Sequence, residues 1–341
     1  MKMKLTFQQL KSFATGAVRV EQIENYVNLH RFTEEQQRFY EGYDLGFFKK
    51  TFATAGVRLR FKTDSTYLNL KAFVITVFAA TRGYYSFDVK VNGEFIGAID
   101  NYGDAVFEGN YTKYEFPLGE VDGTVALGEG FKTVEVYFPY TVKVDLKEVN
   151  LSDGALVEPM PKREKLLCFG DSITHGHDSV RNYRHYTAQL ADTLDLDLYN
   201  KGIGGEVFKP ELADCREPFD PKIVTVAYGT NDWSKRSPEV FAQNCREFYK
   251  TVSRLYPKAK IFGITPPWNK NFDNNEKAMT FKALAEKIEQ LTSDLENVAI
   301  IRGDDLIPHD ESYFGDLFVH PNNDGFDCYF KNLYAEIKKY I

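Results

Sequence analysis

Cysteine is scarce in this chain, with four among 341 residues, at Cys168, Cys215, Cys245 and Cys328. None falls in a Cys-x-x-Cys spacing or beside histidines at zinc-ligand intervals, so neither a disulfide framework nor a zinc site is indicated. The thiols read as reduced, mostly buried groups. Long apolar runs are also missing: no stretch approaches the ~20 residues that a membrane-spanning helix needs. The amino terminus, Met1-Lys2-Met3-Lys4-Leu5-Thr6, turns polar too early for a secretory leader. A soluble, cytoplasmic protein with no membrane partner is expected. No cluster of basic charge appears either. Lys+Arg number 42 against Asp+Glu 49, a net charge of -7, and the basic residues are scattered. That excludes a nucleic-acid groove and points to a neutral or weakly charged small-molecule substrate. Nothing in the sequence calls for a metal or a cofactor.

What is present is apolar and aromatic bulk, 43% and 15% of the chain, which suffices for two cores. Thr33-Glu34-Glu35-Gln36 has the form of a capping box and opens a short helix near 33–44. From Val57 to about Leu151 the pattern predicts strand after strand: 57–62, 67–70, 73–78, 85–91, 95–99, 132–138 and 142–146. Val91-Asn92-Gly93-Glu94 joins two of them as a tight hairpin. Short alternating strands parted by Gly, Asn and Asp predict an all-β sandwich of jelly-roll type over residues 1–155. Its aromatic residues read as core rather than as a sugar-stacking surface.

Between Leu151 and Lys165, turn formers and charge (Ser152-Asp153-Gly154, Pro159-Met160-Pro161-Lys162) read as a linker. Residues 156–341 then alternate strand and helix. Strands are predicted at 165–169, 196–199, 223–228, 260–264 and 298–301. Helices are predicted at Tyr183–Leu194, Ser237–Leu255, Asn275–Leu295 and Asp327–Tyr340. This is the layout of an α/β domain with a doubly wound, flavodoxin-like parallel sheet, in which active groups gather beyond the carboxyl ends of the strands.

Those strand ends carry chemistry. The first gives Gly170-Asp171-Ser172, the second Gly202-Ile203-Gly204-Gly205 and the third Gly229-Thr230-Asn231-Asp232; Asp316 and His320-Pro321-Asn322 precede the last helix. Alone, Asp171-Ser172 reads equally well as a helix cap. Together the segments supply a serine, an exposed glycine N–H, an asparagine amide and a histidine with a nearby acid, the parts of an acyl-transfer site. Serine needs a base, and a histidine oriented by a carboxylate is the usual one. The tetrahedral oxyanion needs fixed donors, for which the N–H groups of Ser172 and Gly205 and the Asn231 side chain stand ready.

In these blocks the chain resembles the SGNH/GDSL hydrolase superfamily, named for its Ser, Gly, Asn and His. The likeness covers about 165–341, with the blocks in the family's order. It implies that Ser172 is the nucleophile, His320 the general base, Asp316 its orienting acid, and Gly205, Asn231 and the Ser172 N–H the oxyanion hole. One departure stands out: the family commonly writes Asp-x-x-His, and here the spacing is Asp316-x-x-x-His320. Either a bulged loop brings Asp316 to the imidazole, or a backbone carbonyl orients it. Asp171 is expected as a hydrogen-bond acceptor behind the serine and Asp232 as a brace for the Asn231 loop, while Trp268 reads equally as a pocket wall or as part of a rigid loop. His175 and His177 follow the nucleophile, where the pocket rim is one place for them, His185 falls within a helix and His309 in a loop; packing or surface roles are the main expectation for each.

A β-sandwich ahead of such a domain resembles bacterial carbohydrate acetylesterases. The resemblance implies a serine esterase acting on short-chain, acetyl esters of sugars. A lipase or lysophospholipase using the same residues, and a carbohydrate-binding protein with a vestigial hydrolase domain, are the alternatives. The sandwich edge also offers a surface for association into a homo-oligomer.

Overall fold

The computed structural model of the chain describes residues 2–78, 81–274 and 277–341. In the carboxyl-terminal half, five parallel strands run in the order Asp197–Asn200, Lys165–Gly170, Ile223–Ala227, Lys260–Ile264, Val298–Ile301. The order doubles back beside the first strand, so a crevice opens at the carboxyl end of Lys165–Gly170. The central strands are buried on both faces, which explains their continuous apolar runs. Helices Tyr186–Thr193 and Asn323–Ile337 pack on one face through Tyr186, Leu190, Phe326 and Leu333. Helices Pro238–Leu255 and Phe281–Thr292 cover the other through Phe241, Phe248, Leu284 and Ile288.

The helix boundaries differ from expectation for identifiable reasons. The predicted helix from Tyr183 is broken: Asn182–Arg184 is a 3-10 turn, and His185, with ψ at 138°, sits between it and the α-helix instead of inside one. The predicted start at Asn275 lies outside the described residues, and the helix begins at Phe281 because Thr280 caps it. Asn322 accepts from the Gly325 N–H at 3.0 Å, so the last helix starts four residues before Asp327.

The amino-terminal half is two antiparallel sheets packed face to face. One runs Arg19–Ile23, Tyr26–His30, Val142–Ser152, Tyr67–Thr76, Gly119–Ala126; the other runs Val157–Pro159, Arg58–Thr63, Lys132–Tyr137, Ser86–Val91, Glu94–Asp100. Alternate residues such as Leu70, Val74, Phe87, Val89, Val136 and Val144 form the shared core. The two segments predicted at 67–70 and 73–78 are one strand, since its buried and open positions alternate without interruption up to Val74. The strands before Val57 and the strand Gly119–Ala126 go beyond the sequence pattern; Val20 and Val27 are set among polar residues, and Gly119 and Gly123 dilute the pattern of the latter. Part of the stretch read as linker is sheet, with Val157–Pro159 pairing antiparallel to Arg58–Thr63. No helix among the described residues is long and apolar enough to cross a membrane.

Candidate active site

Strand Lys165–Gly170 ends where only glycine fits: a Cβ on Gly170 would lie 2.0 Å from Thr174 Oγ1. Asp171 then caps a single helical turn, Ser172–His175, accepting from the Ile173 N–H at 3.0 Å. Ser172 is therefore the first residue of that turn, where backbone N–H groups lack intrahelical partners.

His320 Nε2 lies 2.8 Å from Ser172 Oγ, and His320 Nδ1 lies 2.5 Å from Asp316 Oδ2. A carboxylate at Nδ1 fixes the proton there and leaves Nε2 to accept from the serine hydroxyl. The four-residue spacing is absorbed by the loop itself. Asp316 Oδ1 accepts the N–H groups of Phe318, Val319 and His320 at 2.9, 2.8 and 3.0 Å, while Leu317 takes a left-handed φ of 58°. Burial alone would raise the Asp316 carboxyl. The hydrogen bond and charge of His320, with the backbone N–H donors, outweigh it and hold the group at about 2.

Two residues behind the imidazole have no counterpart in the sequence reading. Asp178, fully buried, has a carboxylate oxygen 3.9 Å from His320 Nδ1. It accepts from Arg82 Nε at 2.6 Å, and a terminal nitrogen of Arg82 lies 3.2 Å from the same Nδ1. Burial pushes the Asp178 carboxyl up, and the charges of Arg82 and His320 oppose that push. Arg82 belongs to the β-rich half, so its partners are invisible to any local pattern.

The Gly204–Gly205 segment is held from several sides. Gly205 has φ at 90°, and the carbonyls of Gly204 and Gly205 accept from Lys50 Nζ at 2.6 Å and Lys235 Nζ at 2.7 Å. The Gly204 N–H donates to His175 Nδ1 at 3.3 Å, and His175 Nε2 donates in turn to the Tyr140 carbonyl at 3.1 Å. The Gly205 N–H makes no hydrogen bond among the described residues. Upstream, Arg31 is fully buried and has no carboxylate partner among the described residues; it donates to the carbonyls of Ala53, Asn200 and Gly202 at 2.7, 2.7 and 3.2 Å, and burial pulls it down to about 9. Lys201 is buried beside it, 2.9 Å from Glu217.

Asn231, in the turn Thr230–Lys235, directs its Nδ2 to Asp171 Oδ2 at 3.4 Å. Burial raises Asp171 to about 6, against the Ile173 N–H and the charge of His320. Asp232 receives the Phe208 N–H at 3.3 Å on both oxygens, and burial raises it to about 7.

Ser172, Gly204, Gly205, Asn231 and His320 open onto a cleft of about 640 Å³ whose far wall is Lys49, Lys50, Val77, Phe78 and Arg82 from the β-rich half. His177 also lines it, with its ring 5.1 Å from that of His320 and 4.8 Å from that of Phe78; burial lowers its pKa, so it is neutral. Trp268 does not line the cleft, contrary to the first of its two readings. Its ring stacks on His309 at 5.3 Å and packs beside Phe314, because the loop after Lys260–Ile264 folds back onto the core. His185 is buried and held down to about 3. A separate depression of about 320 Å³, between Phe13 and Phe219, gathers no comparable group of residues.

The sequence pattern of the GDSL-like Lipase/Acylhydrolase family matches residues 168–328. A comparison with curated proteins found no match. Among solved structures, the salicylyl-acyltransferase SsfX3 of a tetracycline biosynthetic pathway superposes with TM-score 0.79 at 20% identity, over 96% of this chain and 94% of that one. A protein described as a GDSL-like lipase from Bacteroides ovatus gives TM-score 0.76 at 19% identity over 99% and 98%. The acetyl xylan esterase Est2A from Butyrivibrio proteoclasticus gives 0.63 at 14% over 99% and 98%. At these identities the likeness is one of fold, and it spans both halves of the chain.

Proposed function

The carboxyl-terminal half of this chain is a GDSL-like lipase/acylhydrolase domain, that of an ester-hydrolysing enzyme, and from that premise we propose a serine esterase that removes short acyl groups, acetyl foremost, from carbohydrates. The observation that carries this reading is the unbroken hydrogen-bonded run Asp316–His320–Ser172 at the floor of the cleft. Ser172 Oγ attacks the ester carbonyl as His320 Nε2 takes its proton, and the carbonyl oxygen becomes an oxyanion. The N–H groups of Ser172 and Gly205 and the Asn231 amide stabilise that charge. Collapse of the intermediate expels the alcohol, which receives the proton from His320 and leaves an acyl-enzyme. Water, deprotonated by His320, attacks the acyl-enzyme and releases the acid and Ser172. Asp316 orients the imidazole throughout.

In this reading residues 156–341 carry the chemistry and residues 1–155 form an accessory domain that completes the cleft. Short acyl groups suit a wall whose apolar part, among the described residues, is Val77 and Phe78; a long chain needs an extended apolar groove. The test is hydrolysis of 4-nitrophenyl acetate, butyrate and octanoate by the wild type and by Ser172→Ala. Acetate is expected to be the best substrate, with the variant inactive. A preference for octanoate would move the assignment to a lipase. Activity in Ser172→Ala above about one per cent would remove the serine from its role, and sugar binding without turnover in the wild type would favour the vestigial alternative.

A further inference from the structure

The cleft wall is charged in one sense. Among the described residues its charged side chains are Lys49, Lys50 and Arg82, with no carboxylate, in a chain where acids outnumber bases 49 to 42. Arg82 is committed to Asp178. Among the described residues the lysines form no ion pair with an acid. Lys50, which lines the cleft, and Lys235, an exposed side chain beside the lining, donate to the consecutive carbonyls of Gly204 and Gly205. Each uses one of three donors there and keeps two. The acids whose field reaches Lys50 are Asp44 and Glu206. Asp44 caps the Phe47 N–H at 2.9 Å, and Glu206 faces Lys209 at 3.4 Å. Lys235 Nζ also lies 3.5 Å from where a Cβ on Gly205 would stand, beside the expected oxyanion donor. The charge of Lys235 bears on Lys50, and beyond Asp171, which feels Lys235 and is itself bonded to the Ile173 N–H and the Asn231 amide, an incoming anion is the group placed to relieve their repulsion.

We propose that the site selects esters that bear an anionic group, a carboxylate in the simplest case, held between Lys50 and Lys235 with Lys49 at the mouth. Resting on the serine-esterase reading, this narrows the substrate class to acyl esters of acidic sugars or to esters whose acyl group carries a second, free carboxylate. It also replaces the expectation of a neutral substrate drawn from overall charge, because the residues that set the local field come from three separate segments.

The test uses two matched pairs at about 10 mM ionic strength, where screening is weak. 4-Acetoxybenzoate against its methyl ester places the charge on the leaving side. Mono-4-nitrophenyl adipate against 4-nitrophenyl hexanoate places it on the acyl side. After division by each ester's uncatalysed rate, kcat/KM is expected to favour the anionic member of at least one pair by about tenfold. The gain should lie mainly in KM and shrink at about 0.5 M salt. In Lys50→Gln/Lys235→Gln the ratio of anionic to neutral ester should fall toward one, whatever happens to the absolute rates. Equal or better turnover of the neutral member in both pairs would overturn the proposal while leaving the esterase reading intact. Calorimetry on Ser172→Ala gives a readout that does not depend on turnover: tighter binding of 4-acetoxybenzoate than of its methyl ester supports the anion site even if no ester is cleaved, and equal or weaker binding overturns it.

Discussion

Arg82 Nε donates to Asp178 Oδ1 at 2.6 Å, and the pair closes the space behind the His320 ring that faces away from Ser172. Both members are buried, so breaking the pair from one side strands a charge. Arg82→Met should lower stability by about 3–5 kcal/mol, the usual cost of leaving one partner of a buried pair alone. Adding Asp178→Asn should recover part of that loss. Thermal melts of the single and double variants check this; additive losses would mean that the two side chains do not stabilise one another.

Asp316→Asn tests the orientation of the histidine. An amide oxygen can keep accepting the backbone N–H groups of Phe318, Val319 and His320, so the loop should keep its fold, while loss of the carboxylate's charge-assisted bonds should lower the melting temperature at neutral pH by a few degrees. The amide cannot hold the imidazole proton at Nδ1 as a carboxylate does, and kcat should fall by about 10²–10⁴. Near-normal kcat would point to a Ser172–His320 dyad.

Asn231→Ala removes one of the proposed oxyanion donors. A loss of about 10²–10³ in kcat with KM little changed is expected, measured on 4-nitrophenyl acetate. A loss below about fivefold would place that amide outside the oxyanion hole.

The buried acids make stability depend on pH in opposite senses. Asp232, raised to about 7 from its ordinary 3.8, favours the folded state most below pH ~4, and that contribution is lost as pH climbs through about 7. Asp316, held at about 2, contributes above pH ~4 and loses its contribution as pH falls through about 2. Asp232→Asn should therefore gain on the wild type between pH 5 and 8, by roughly 2–4 kcal/mol, because each tenfold change in proton affinity is worth about 1.4 kcal/mol. Melting temperatures of both proteins across that range check the sign, and parallel curves would mean that Asp232 titrates normally.

The two-layer plan, the parallel sheet and the segments around Ser172, Gly205, Asn231 and His320 were readable in the sequence because each is local: a strand, a glycine turn, the start of a helix. The Asp316 loop was half readable, since its spacing is plain in the residues and only the φ of Leu317 explains how an extra one fits. Arg82, Asp178 and Lys50 were not readable. Each acts through contacts 96 to 238 residues away, and a lone lysine at a helix end or a lone arginine in a loop between strands looks like an ordinary solvated side chain. Trp268 failed in the other direction: a tryptophan just past a strand end suggested a wall, but the Phe314 and His309 rings claim it.

The buried guanidinium of Arg31 has a consequence in time. Its carbonyl partners on Asn200 and Gly202 lie 169 and 171 residues later in the chain, and a ribosome adding about 5–20 residues per second needs roughly 8–35 s to deliver them. For about the last 40 of those residues, roughly 2–8 s, the β-rich half is complete in sequence through Pro159 while Arg31 still lacks those two partners. The final closure of its inner edge is therefore coupled to translation of the Lys201–Gly205 segment, so a pause in synthesis before that segment would prolong the exposure of a half-finished interface to the chaperones of the cell.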